Sequence, residues 1–286
     1  MNIRYLVIIF ISFLLLSPNT LWASNLVCRL TTLICPSVQL DELVSKDGLF
    51  FLKESSVPFT GKVRKRDGMT SVSGFVKYGL KHGKWSYDSF ALAHMPGEDF
   101  WITFSGNYIK GKKEGQWISK EINNYKTIVL SKVIFKNDEL YGPVLEYFNN
   151  TNQIKVKGSL INGKKEGLWT HFQFNGKLKE KGNYVNDVKE GHWDYYFPSR
   201  NKGNYKKGEK DGLWTYYNPS GGISSERNYK EGIKDGEWVR YYKNGKIFYK
   251  GFYKDGIKEG QWMHYNFNGT LMEHSGMYKN GEKIGE

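Results

Sequence analysis

The chain is poor in the residues from which catalytic and metal centres are built. Only two cysteines occur in 286 residues, and Cys28 and Cys35, with no histidine cluster beside them, make a poor zinc site. The six histidines, His82, His94, His171, His192, His264 and His274, fall at no metal-ligand spacing. No nucleophile elbow, phosphate-binding loop or calcium loop is present. Hydrophobic residues make up 39%, too few for a thick aliphatic core. We therefore expect no enzyme activity, no cofactor and no resident metal.

Long apolar runs are also scarce. The one at the start, Tyr5 to Leu16, follows Arg4 and is short for a bilayer span of about 20 residues. With "SPNTLWAS" behind it, the layout is that of a secretory signal cleaved after Ala23 or Ser24. The expected organisation is a leader over 1–23, an N-terminal cap segment over 24–58 and a repeat array over 59–286. The mature protein is expected in the periplasm or outside the cell, membrane-associated if the leader is retained. In an oxidising compartment Cys28 and Cys35 are placed to close a small loop, and Val27 before Cys28 does not suit lipidation. Net charge is +13, and +12 without residues 1–23, whose one charge is Arg4. Such a balance suits an anionic lipid or glycan surface; export makes nucleic acid a poor partner.

What the chain has in quantity is glycine, at 32 residues, and aromatic rings, at 16%. They recur in a pattern. "YKEGIKDGEW" at 229 returns as "YKDGIKEGQW" at 253, and related blocks start at 76, 108, 135, 160, 184, 205 and 278. The period is near 24 and loosens toward the N-terminus, where "PFTGKV" at 58 reads as a further degenerate copy. Each unit carries two turn signals. One lies near the fourth block residue, as at Gly163, Gly232 and Gly256; the other lies between blocks, as at Asn175-Gly176, Asn244-Gly245 and Asn268-Gly269. Two turns imply two short strands per unit.

Pairing across these turns sets a register. A two-residue turn at Asn244-Gly245 places Tyr242 opposite Ile247, Arg240 opposite Tyr249 and Trp238 opposite Gly251. A hairpin centred on Gly256-Ile257 places Tyr253 opposite Gly260 and Trp262 opposite Gly251, so Gly251 lies between two tryptophans. In the same way Gly182 falls between Trp169 and Trp193. Bare glycine backbone under a neighbouring ring is a known means of supporting sheets. Trp117 and Trp214 occupy equivalent slots. Arg227 breaks the pattern, standing where a glycine is expected between Trp214 and Trp238. The register also slips by one after Asn268-Gly269, which predicts an irregularity there. Phe172, Tyr196, Tyr217, Tyr241 and Tyr265, three residues after tryptophans, should put rings on the opposite face. The N-terminal "DELVSKDGLFFLKESS" reads as a short helix followed by a strand.

Blocks such as "NGKKEGLW" and "YKNGK" resemble MORN repeats, in the bacterial variant class where Gly-x-Trp replaces Gly-x-Gly. The resemblance spans about residues 59–286 and implies an all-β fold, an elongated single-layer antiparallel β-meander of about nine two-stranded repeats. It also implies contact with protein or lipid, and variant repeats occur in antitoxins of bacterial toxin pairs. It brings no catalytic residues.

The sixth block position is lysine in most units, including Lys165, Lys189, Lys210, Lys234 and Lys258. At two strand spacings per unit, about 9.6 Å, these would form a cationic ladder along one margin. The acidic residues beside them, such as Glu166 and Asp235, read as turn residues paired with neighbouring lysines. The leading expectation is an exported, non-enzymatic scaffold binding another protein through its aromatic face or long edge. The alternatives are peripheral binding of anionic lipid or glycan by the lysine ladder, and inhibition of a neighbouring toxin.

Overall fold

The computed structural model describes residues 35–91, 100–123, 126–149 and 151–285. The proposed leader, Cys28 and His94 lie outside them. The chain divides into two compact units, one running to Gly142 with residues 149–152, the other comprising residues 143–148 and everything from Gln153 onward. Both are built almost entirely of antiparallel strands.

In the second unit the strands follow one another as a meander from Ile154–Ile161 to Glu282–Gly285, each hydrogen-bonded to the next. The block turns are tight. Lys254 pairs with Ile257, leaving Asp255 and Gly256 as the two turn residues at φ of 46° and 84°. Two positive φ values in succession are what right-twisted hairpins require, and Asp and Gly tolerate them. The turn is therefore centred one residue earlier than the sequence reading had it, and Tyr253 pairs with Lys258 rather than Gly260. The excess is absorbed just before each tryptophan. Asn183 pairs with Glu190 and Gly182 with Trp193, so Gly191 and His192 are extra on that side. Gly191, at φ 66°, makes the bend, which is why the motif keeps glycine two places before tryptophan.

The inter-block turns also differ from the expected two-residue form. Tyr241, not Tyr242, pairs with Ile247 across a register shift, and the Tyr242 N–H donates to the Lys246 carbonyl. The Asn244 side chain accepts the Lys246 N–H at 3.1 Å, holding a longer loop in shape as an Asx turn. After Asn268-Gly269 the predicted irregularity is present. Tyr265 makes a lone bridge to Leu271, Met272 to Ser275 leave the ladder, and Trp262 regains its glycine, Gly276.

In the first unit the meander runs from Gly61–Asp67 through Thr70–Lys77, Leu80–Ala91, Phe100–Ile109 and Lys112–Ile122 to Thr127–Lys136. Val63 pairs with Gly74 and is buried, standing where later copies have tryptophan. The N-terminal segment is not the short helix and strand of the sequence reading. It is a strand, Ser37–Gln39, parallel to Gly61–Asp67, then one 3₁₀ turn at Leu40–Glu42. A hairpin of Leu43–Lys46 with Leu49–Leu52 follows. Asp47 and Gly48, both at positive φ, make this a hairpin turn and forbid a helix there. Val38, Leu43, Phe50 and Leu52 then close over Phe59, Val63, Val76 and Trp85, forming the hydrophobic core of this unit.

Candidate functional site

The repeated block can now be read residue by residue. Trp85, Trp117, Trp169, Trp193, Trp214, Trp238 and Trp262 are between 0% and 7% exposed. In every one the indole N–H donates to the backbone carbonyl ten residues earlier, from Phe75 for Trp85 to Phe252 for Trp262. The ring lies on the glycine eleven residues earlier. A Cβ built on Gly74, Gly106, Gly158, Gly182, Gly203 or Gly251 would overlap the six-membered or five-membered ring of Trp85, Trp117, Trp169, Trp193, Trp214 or Trp262 respectively.

Each glycine is thus covered from the strand that follows it. Gly182 pairs with Trp169 on one side and Trp193 on the other, but the atoms nearest its absent Cβ belong to Trp193. Gly251 stands in register with Trp238, and the ring on it is Trp262. At Arg227 the side chain takes the glycine's place. Its guanidinium lies 4.3 Å from the Tyr216 ring centroid and 5.2 Å from that of Trp238, so a planar cation stacks where bare backbone is absent.

The lysine ladder is differently employed than the sequence suggested. The Nζ atoms of Lys81, Lys113, Lys165, Lys189, Lys210, Lys234 and Lys258 sit 4.1 to 5.2 Å from the ring of the tryptophan four residues on. Lys189 and Lys210 also donate to the hydroxyls of Tyr195 and Tyr216, both at 2.8 Å. Burial lowers the pKa of both lysines. Their ammonium groups cap the aromatic stack by cation–π attraction, instead of forming a solvated margin.

The acidic position is also occupied structurally, though not by the lysine beside it in sequence; Asp235 pairs with Lys254 of the next strand at 3.3 Å. Glu166, Glu190, Asp235 and Glu259 accept the backbone N–H of the next block turn, at Asn186, Lys207, Asp255 and Asn280. The carbonyl of the lysine just before each acid accepts a second turn N–H, as from Gly208 to Lys189 at 3.0 Å. Two bonds therefore staple each hairpin tip to the one before. His171 pairs with Glu180 at 2.6 Å, and no cluster of three or more His, Cys, Asp or Glu suited to a metal exists among the described residues.

With rings, lysines and acids accounted for, the face that remains lies opposite the tryptophans; in the second unit Thr170, Thr215 and Val239 on it are buried, and its apolar exposure lies elsewhere. In the second unit, pairing alternates Thr170, Lys181, Asp194, Lys202, Thr215 and Glu226 across successive strands, continuing to Val239, Lys250 and Met263. Beside this row Leu168, Leu213 and Phe252 are 58%, 48% and 54% exposed. Each precedes or faces a tryptophan-strand position of the opposite parity, so it points away from the indoles.

In the first unit the corresponding face holds a cleft of about 680 Å³. Arg64, Ser73, Ser86 and Ser105 form one continuous cross-strand row. Arg66, Ser71, Asp88, Thr103 and Lys120 form the next. Lys62 and Lys84 also line it. Asp88 accepts from Ser71 and Ser86, both at 2.8 Å. The sequence reading missed this face, because the residues come from the most divergent copies and only strand pairing joins them.

Comparison with known families agrees with this geometry. The MORN repeat variant family matches residues 165–186, 210–231 and 234–255, three segments that each run from a ring-capping lysine to the first residue of the following block turn. The match is narrower than the span on which the blocks resemble one another. A search of curated proteins finds no match to the chain.

Proposed function

We propose that this protein is an exported, non-enzymatic scaffold that binds another protein. The observation that carries this reading is the division of labour between the two sides of the sheet. The tryptophan side is consumed in holding strands together, while the opposite side of the second unit mixes exposed Leu168, Leu213 and Phe252 with Lys181, Lys202, Glu226 and Lys250. Apolar anchors within a charged surround are the anatomy of protein interfaces. Of the expected routes, the aromatic face gives way to its reverse, because rings buried beneath lysines have little area left for a partner.

Site-specific photo-crosslinking in producing cells tests this. A photoreactive residue at Leu213 or Phe252 should give one discrete adduct in the envelope fraction, and one at Tyr249, on the tryptophan side, should not. Leu213→Asp with Phe252→Asp should abolish the adduct formed from Leu168. Absence of any adduct from the Leu168, Leu213 and Phe252 positions would remove this reading.

A further inference from the structure

We infer that the cleft of the first unit binds an acidic polysaccharide bearing carboxylates, of the uronic-acid type. The cleft's charge is one-sided. Among the described residues Lys62, Arg64, Lys84 and Lys120 line the cleft with no carboxylate, and Arg66 and Asp88 line a depression that adjoins it through Ser86, Thr103 and Ile122, where Asp88 is engaged by two hydroxyls. Such a patch attracts an anionic partner.

The hydroxyls narrow the class. Because Ser71 and Ser86 donate their protons to Asp88, their oxygens are left to act as acceptors. An occupant that brings donors as well as anionic oxygens uses both features. A uronic-acid chain does so on every ring, pairing hydroxyl donors with a carboxylate; a phosphodiester group by itself presents acceptors alone, and the few hydroxyls of a glycerol headgroup do not repeat along a polymer. The rows also run across the strands at about 4.8 Å per step, so Arg64, Ser73, Ser86 and Ser105 offer a polar contact at each step to an extended polymer. Arginine suits carboxylate through its planar fork. Phe75 borders the cleft and Trp101, tilted against Phe90 at 5.2 Å between centroids, borders the adjoining depression, where aromatic rings suit the C–H face of a sugar.

This site is independent of the protein-binding face proposed for the second unit. The test titrates the full chain with polygalacturonate, dextran, polyglutamate and phosphatidylglycerol vesicles. Polygalacturonate should bind with an affinity that falls as salt rises, and dextran should not bind. Polyglutamate and vesicles should each bind at least about tenfold more weakly. Arg64→Ala with Arg66→Ala should weaken polygalacturonate about tenfold or more. Ser73→Ala with Ser86→Ala, which leaves charge unaltered, should weaken it about threefold or more. Lys155→Ala with Lys179→Ala, removing equal charge from the second unit, should leave it unchanged. The inference is overturned by absent polygalacturonate binding, by binding indifferent to the Arg64 and Arg66 changes, or by a loss matched in the Lys155 and Lys179 control. It is equally overturned if polyglutamate or vesicles bind as tightly, since the cleft would then be an acidic-peptide or lipid site.

Discussion

The indole of Trp193 lies on Gly182 in the space a Cβ would fill, while its N–H donates to the carbonyl of Asn183 at 3.1 Å. Ring and glycine are one structural element contributed by two strands. Gly182→Ala should therefore destabilise the second unit by about 1–3 kcal/mol through overpacking, although alanine is ordinarily tolerated in strands. Trp193→Ala should cost about 3–5 kcal/mol. Denaturant titration measures both. A Gly182→Ala change below about 0.5 kcal/mol would mean the contact is incidental.

Arg227 supplies an internal contrast. Arg227→Gly restores the pattern found at Gly203 and Gly251, leaving Trp238 free to settle on bare backbone. The loss of stacking on Tyr216 and Trp238 should be partly offset, so the net change is expected to be within about 1 kcal/mol. A loss comparable with that of Trp193→Ala would show that the guanidinium has become indispensable to the stack.

Lys189 distinguishes a structural lysine from an anion-binding one. Its Nζ is 4.1 Å from the Trp193 ring centroid and bonds Tyr195. Lys189→Ala should cost about 1–2 kcal/mol of stability and leave polygalacturonate affinity unchanged. Paired denaturation and binding titrations check this, and an intact stability with weakened binding would restore the ladder as an anion-binding edge.

The tyrosines predict an alkaline limit. Burial raises the pKa of Tyr184, Tyr195, Tyr205, Tyr229 and Tyr253 above the ordinary 10.0. Burial, then the hydrogen bond to Glu226, pushes Tyr241 up to about 12. A raised folded pKa means stability that is complete below the unfolded value and lost as pH climbs through the folded one. The lowered lysines, Lys189 and Lys210, act in the opposite direction, their charged-form penalty being relieved as pH rises toward 10.5. The tyrosines outnumber them. Thermal midpoints should fall steadily above pH 10, with phenolate absorbance appearing together with unfolding, and Tyr195→Phe should blunt the fall. Tyrosines that titrate near 10 in a folded protein would contradict the packing.

Asp235 predicts the acid limit of one staple. The Asp255 N–H, and then the Lys254 ammonium, hold its carboxyl below the ordinary 3.8. A depressed carboxylate contributes stability present above its unfolded pKa and lost as pH falls through the folded one. The Asp255 amide resonance should therefore shift only below about pH 4, and in Asp235→Asn that transition should vanish. An Asp255 amide that titrates identically in both proteins would exclude this hydrogen bond.

Much of the ladder was legible in the chain. The pairings of Trp169 and Trp193 with Gly182, and of Trp238 with Gly251, came out as expected from the turns, but each is reached because a register shift beside the turn cancels the difference in turn geometry. The side-chain partners were not legible in the same way. Lys189 and Glu190 read as a solvated turn pair, yet one lies over Trp193 and the other accepts an N–H from Lys207, seventeen residues away. Repetition disclosed that the positions matter without disclosing to which neighbour.

By itself the sequence determined a period, two turns per unit and which glycines meet which tryptophans, since these depend on contacts within one or two hairpins. Only the tertiary structure decided which ring covers which backbone, because a bulge at each Gly-x-Trp folds the indole onto the preceding strand. It alone assembled the cleft as well. Arg64, Ser73, Ser86 and Ser105 belong to four strands and share no periodic mark, and hydrogen-bonded register is what sets them in one row.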